Sequence, residues 1–293
     1  MKKGKAVLIC ITVIFIGLSV LLYPTIADYW NTKTQSQIVV DYEAMLTNMK
    51  PEDYSSYFEE AEAYNRRLYE AEFPFTETEA SDEYMSLLNL DGTGVMGYVS
   101  IEKIRVELPI YHTVSDQVLS KAAGHMPATS LPIGGENTHA VISAHRGLPS
   151  AKLFTNLDRL EDGDTFTITV LDRVLTYQVD QIKIVNPDEV ENLFIVDGED
   201  YVTLLTCTPY GLNTHRLLVR GERIDSSTKR TLHITSQGYV IDPVIVTPVV
   251  AVPMLFAFLA YSWTRAILAP KRKKKQITIE DIQQMKKETG DKR

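Results

Sequence analysis

Two apolar runs bracket the chain, one from Ala6 to Tyr23 and the other from Val244 to Trp263. Each comes close to the roughly 20 residues that a helix needs to cross a bilayer core. After the first run, Tyr29 to Val39 is polar and has no clear period. From Val40 the apolar positions Tyr42, Met45, Leu46 and Met49 fall at helical spacing until Lys50-Pro51 interrupts them. Pro51 suits the first turn of a second helix, Glu52 and Asp53 complement its positive end, and Tyr54, Tyr57, Phe58, Ala61, Tyr64 and Leu68 form one stripe. These helices either pack on the main domain or form a solvated spacer.

From Asp91-Gly-Thr-Gly94 onward the pattern shortens to β segments at Met96–Ile101, Val106–Tyr111, Ala140–Ser143, Thr165–Leu171 and Val174–Val185. A last pair, Val202–Cys207 and Thr214–Arg220, flanks a loop punctuated by Pro209, Gly211 and Asn213, which reads as strand, loop, strand. Phe166, Ile168 and Val170 alternate with threonines, and Leu175, Tyr177 and Val179 alternate likewise across the turn at Asp172-Arg173. Half-buried antiparallel strands with long connections predict a mainly β fold, a closed barrel of about eight strands. The segment from Glu70 to Leu90 fits neither pattern. Its Phe73-Pro74-Phe75 stands among acidic and small polar residues, either as a hook that inserts into a groove or as a loop packed on the core.

Charge orients this layout. The formal net charge is −8, yet residues 1–23 carry three lysines and no acid, and residues 244–293 carry ten Lys or Arg against four acids. The middle is therefore strongly acidic, which excludes nucleic acid as the partner. Basic flanks on the outer side of both runs (Lys2, Lys3 and Lys5; Arg265 and Lys271 to Lys275) put both termini in the cytoplasm and the acidic domain outside the membrane. The first run has a competing reading as a cleaved signal peptide, with Thr25-Ile-Ala27 as the cleavage site. The second holds Pro248 and Pro253, which membrane helices tolerate better than soluble ones. The expected organisation is a transmembrane segment or signal anchor at 1–23, a helical region at 24–90, the β domain at 91–230 and a linker at 231–243. A transmembrane helix at 244–264 and a basic cytoplasmic tail at 265–293 complete it.

Cysteine usage narrows the chemistry. Only Cys10, inside the first run, and Cys207 are present. The external domain thus has one thiol and no internal disulfide, and such a thiol is a liability unless buried or used. A thiol nucleophile needs a nearby base or cation, usually histidine. Of six histidines, His145 stands out because it ends the small apolar strand Ala140–Ala144 and opens the loop Arg146-Gly-Leu-Pro149, where a barrel presents side chains to a cleft. His215 is the rival base, but alternation sends it and Arg216 to opposite faces. His125 and His139 read as structural or solvated. Arg216 is either an exposed strand cation or a donor to an acyl oxyanion, while Arg220 and Arg223 read as surface.

These residues resemble the sortases. Thr203-Leu-Leu-Thr-Cys207 matches the TLxTC signature, Arg216 follows nine residues on as the sortase arginine, and His145 stands as the sortase histidine. Longer stretches resemble the pilus-assembling class C sortases: Gly94-Val-Met-Gly-Tyr98, Leu108-Pro-Ile-Tyr-His112, Gly124-His125, Ala144 to Phe154, and Cys207-Thr-Pro-Tyr-Gly211 through Arg220. The resemblance spans roughly residues 40 to 265, including a C-terminal membrane anchor.

The resemblance implies a cysteine transpeptidase with no cofactor and no metal. Cys207 would attack the Thr–Gly bond of an LPxTG-like sorting signal on a pilin or surface protein. A pilin lysine or cell-wall peptide amine would resolve the thioester, with His145 as acid and base and Arg216 holding the carbonyl or oxyanion. Class C sortases carry a lid with an Asp-Pro-aromatic motif. Here the corresponding triplet, in a lid at about 70–80, is Phe73-Pro74-Phe75. Phe75 would be the ring over Cys207, but no Asp precedes the proline to latch the arginine. Two other classes remain, a hydrolytic cysteine peptidase and a non-catalytic anchored scaffold with a buried cysteine.

Overall fold

The computed structural model describes residues 2–71 and 80–224, together with Leu259. Phe73-Pro74-Phe75, the linker, the second apolar run apart from Leu259, and the basic tail lie outside the described residues.

The first helix, α1 (Lys2–Asn48), runs without a break through Pro24 and through the polar stretch that showed no period. A helix forms there because its barrel-facing positions include polar residues with backbone partners. Asn31 Nδ2 donates to Ser150 O at 2.7 Å and Gln35 Nε2 to Lys121 O at 2.7 Å. Further along, Tyr42 is buried, donating to Met96 O at 3.1 Å and accepting from Leu171 N–H at 2.8 Å. The second helix, α2 (Pro51–Glu70), buries Tyr54, Phe58 and Ala61. Its Asn65 exchanges two hydrogen bonds with the Leu131 backbone. Both helices pack on the main domain, so the spacer alternative does not hold. At the gap left by residues 72–79, Arg67 pairs with Glu83.

Eight strands follow, with two short helices among them: α3 (Asp82–Ser86), β1 (Val95–Ile101), β2 (Val106–His112), α4 (Asp116–Leu119), β3 (Ala123–His125) and β4 (Thr138–Ser143). After these come β5 (Thr165–Val170), β6 (Arg173–Val185), β7 (Asp200–Thr208) and β8 (His215–Arg223). They close into one barrel in the order β1-β2-β3-β4-β7-β8-β6-β5. The barrel is mixed rather than antiparallel, because β2 pairs with β3 and β4 with β7 in parallel. Crossing connections make those two pairings, whereas tight hairpins make the antiparallel β1–β2, β5–β6 and β7–β8 pairs.

Alternation sorts the strands into two faces. Inward, Val99, Ile142, Phe166, Ile168, Tyr177, Leu204 and Val219 fill the barrel. The seam where β1 meets β5 is close: a Cβ on Gly97 would lie 2.3 Å from Thr169 O, so only glycine fits. Outward, Val141, Val185, Leu193, Leu205 and Leu218 form a second, smaller cluster on the wall. The connection from β6 to β7 contributes Leu193 to it, and hydrogen bonds hold that connection down. His139 Nδ1 lies 2.9 Å from Phe194 O, and Gly198 N–H donates to Asn137 Oδ1 at 2.7 Å.

Candidate active site

The register pairs two of the predicted catalytic residues, Cys207 and Arg216, and leads the third, His145, to the same end of the barrel. In the β7–β8 hairpin Cys207 pairs directly with Arg216, and Thr208 pairs with His215. Directly opposed residues on antiparallel strands project to the same face, so the thiol and the guanidinium are neighbours and His215 turns away. The rival base is thereby removed from the thiol; its Nδ1 lies 2.9 Å from Thr214 Oγ1 instead. On the other side, the parallel β4–β7 ladder ends at Ser143↔Leu205 and is extended by Ala144 N–H donating to Leu205 O at 3.2 Å. His145 follows two residues beyond that pair, at the start of the loop that leaves β4. Thiol and guanidinium thus occupy adjacent strand tracks, and the histidine leaves the track on the other side of β7 at the same end of the barrel.

Their face is the outer one. Cys207 follows Leu205 by two residues and Arg216 precedes Leu218 by two, and both leucines belong to the outer cluster. Val185, from the same cluster, pairs with Arg216 across β6. The sequence placed the site at a barrel mouth; alternation puts it on the outside of the wall, at the end of an apolar strip. Cys207 is a free thiol of intermediate exposure. Arg216 Nη1 donates to Asn213 O at 3.3 Å and His215 O at 3.2 Å, which anchors the guanidinium to the hairpin loop.

The loop after His145 is well tethered. Phe154 N–H donates to His145 O at 3.1 Å, and Leu153 and Phe154 are buried in the main core. Arg146 adds a feature that the sequence pattern did not single out. Its side chain is only 9% exposed, with Nη2 2.5 Å from Asp158 Oδ2 and Nη1 3.4 Å from Thr208 Oγ1. Nε is buried without a hydrogen-bond partner among the described residues. Arg146 therefore ties the histidine-bearing loop to the residue after the cysteine. Its position beside His145 was the one available signal; Asp158, twelve residues away, gave none.

The remaining histidines among the described residues, His112, His125 and His139, are structural. His125 is fully buried, with Nδ1 2.8 Å from Tyr84 Oη and Nε2 2.8 Å from Ser130 O, and burial lowers its pKa to about 4. His139 accepts from Thr203 Oγ1 at 2.7 Å, and burial likewise lowers its pKa to about 4. His112 sits between Gly94 O at 2.9 Å and Leu87 O at 2.8 Å. Arg220 pairs with Asp180 and lies over the Tyr201 ring, so it is fixed rather than free at the surface. A cavity of about 650 Å³ between α2 and the start of β4 is lined by Asn65, Arg66, Asp200 and Arg223, among others, and by none of the three catalytic candidates.

Comparison with known proteins fits this geometry. Residues 99–224 match the family described as Sortase domain. The crystal structure of sortase C1 from Streptococcus agalactiae is 46% identical, with a TM-score of 0.60 over 65% of this chain and 99% of that one. The structure of Clostridium perfringens sortase C with the C-terminal cell wall sorting motif is 44% identical, with a TM-score of 0.58 over 65% of this chain and 100% of that one. Sortase A of S. agalactiae serotype III is 33% identical over 131 residues, which is 44% of this chain and only about half, 52%, of that relative. The chain belongs to the sortases, a family of cysteine transpeptidases, and the solved structures that it covers almost completely are class C sortases.

Proposed function

We propose that the chain is a membrane-anchored transpeptidase that cuts an LPxTG-like sorting signal on a pilin or surface protein and joins it to an amine. The Cys207 thiolate adds to the threonine carbonyl carbon of the Thr–Gly bond. The resulting oxyanion collapses to a thioester as the glycine amine leaves, taking a proton from His145. An incoming amine, from a pilin lysine or a cell-wall peptide, gives a proton to His145, attacks the thioester and regenerates the thiolate. Arg216 supplies fixed donors to the oxyanion, where such a donor is typically worth about 3 kcal/mol of barrier.

The observation that carries this reading is the direct ladder pairing of Cys207 with Arg216, with His145 opening the loop just beyond the β4 end of the neighbouring ladder. The apolar cluster beside the site supports an extended peptide approaching along the outer wall. Among the described residues, one helix is long and apolar enough to cross a membrane, and it lies at the N-terminus. That helix supports anchoring with the barrel on the external face, as does the distribution of basic residues.

The test is incubation of the full chain, in detergent, with an LPxTG peptide and an amine. Joined product from the wild type and none from Cys207→Ala is the expected result. Hydrolysed peptide alone would reassign the protein as a peptidase, and an inert thiol would make it a scaffold.

A further inference from the structure

We propose that the catalytic end of the barrel rests on the outer surface of the lipid bilayer, with Tyr210 and Leu212 of the β7–β8 loop seated at headgroup level beside Tyr29 and Trp30. The inference rests on the anchored reading above, and two independent features of the fold carry it.

The first is the helix. Because α1 is unbroken from Lys2 to Asn48, it fixes the height of whatever it touches. Its membrane-proximal polar contacts go to the loop that follows His145. Asp28 Oδ1 accepts from Lys152 N–H at 2.8 Å, Asp28 Oδ2 lies 3.4 Å from Lys152 Nζ, and Asn31 bonds Ser150 O. From Tyr23, where the apolar run ends, to Asn31 is about 12 Å of helix at the α-helical rise. The headgroup layer of one leaflet is about 5–7 Å thick, so an upright helix holds Asp28, about 8 Å along, and its Lys152 contact at the outer edge of that layer and Asn31 about 5 Å beyond it, and tilt brings both nearer. Tyr23, Tyr29 and Trp30 are 60%, 63% and 68% exposed in this span, where interfacial aromatic belts concentrate.

The second is the β7–β8 loop at the same end of the barrel. Gly147, in the His145 loop, sits against the Tyr210 ring: a Cβ there would come within 3.1 Å of it. Tyr210 is nevertheless 60% exposed and Leu212 73% exposed. The loop Pro209-Tyr-Gly-Leu-Asn-Thr214 bears no charge in an otherwise acidic domain. An uncharged loop presenting a tyrosine and a leucine, packed on the same His145 loop that α1 grips beside its Tyr29-Trp30 pair, suits the lipid interface, where an aromatic ring has one apolar and one wet side. Because the contact uses rings and an aliphatic side chain rather than cations, it is insensitive to salt.

The test places nitroxide labels on the full chain in bilayer nanodiscs of phosphatidylcholine and phosphatidylglycerol. Cysteines are introduced singly by Val13→Cys, Trp30→Cys, Glu136→Cys or Leu212→Cys in a Cys10→Ser, Cys207→Ala background. Accessibility to oxygen is compared with accessibility to a water-soluble nickel complex. The expected result is that the label at 212 matches that at 30 and favours oxygen over the label at 136, which precedes β4 at the opposite end of the barrel. A label at 212 as wet as that at 136 overturns the proposal. So does one that is wet and becomes immobilised when LPxTG peptide is added, because the loop would then serve the substrate. A wet label at 13 would instead sink the anchored reading itself.

Discussion

The two faces of β4, β7 and β8 are built from neighbouring residues and do opposite things. Inward, Ala140, Ile142, Leu204 and Val219 are buried against one another, and nothing but packing happens there. Outward, the same strands begin with His139 and Thr203 locked in a buried hydrogen bond, continue through Val141, Leu205 and Leu218, and end at His145, Cys207 and Arg216. Exposure therefore rises toward the candidate site along one face only. A two-residue period lets stability and chemistry be changed almost independently on a single strand.

Substitutions that test this division fall in a definite order. Cys207→Ala should abolish thioester and joined product, read by mass spectrometry, while leaving the urea midpoint within error of wild type. Arg216→Ala should lower turnover by about 10²–10³-fold, with Arg216→Lys recovering part of it; equal turnover in the alanine variant would remove Arg216 from the oxyanion. On the inner face, Ile142→Ala should cost about 2–5 kcal/mol of stability while the alkylation rate of Cys207 in the folded fraction stays unchanged. The Arg146–Asp158 pair lies between these extremes, since it joins the catalytic loop to Thr208. Single alanine changes there should fail to add in a double-mutant cycle, with a coupling of about 0.5–3 kcal/mol; strict additivity would mean that the two do not act as a unit.

A separate effect is on pH. His125 and His139 have folded pKa values of about 4, below the ordinary histidine value of about 6.5. The unfolded chain binds more protons between those limits, so stability is full above pH 6.5 and is lost as pH falls toward 4. The urea midpoint should drop between pH 7 and pH 5, and a flat profile would show that these rings are not buried in their neutral form.

Much of this organisation is readable from residue order, and the exceptions have physical causes. Strands β5 and β6 announce themselves because apolar and polar side chains alternate across a tight turn. The short β3 is invisible, since three residues hold no period, and its parallel pairing depends on a partner reached by a crossover. The middle of α1 hides because its inward face uses Asn31 and Gln35, whose contacts are hydrogen bonds to Ser150 and Lys121 carbonyls that an apolar count misses. At the site, Cys207 and Arg216 are legible together because both flank one hairpin, and His145 because it ends a strand. The Arg146–Asp158 tie is not, since nothing in sequence links a loop arginine to a carboxylate twelve residues on.

The barrel is solid inside and keeps its sulfur on the exterior wall, and that has a consequence for the size of what it can handle. No chain has to thread a tunnel to be cut or joined. On the proposed function, folded bulk can remain on either side of the bond being exchanged.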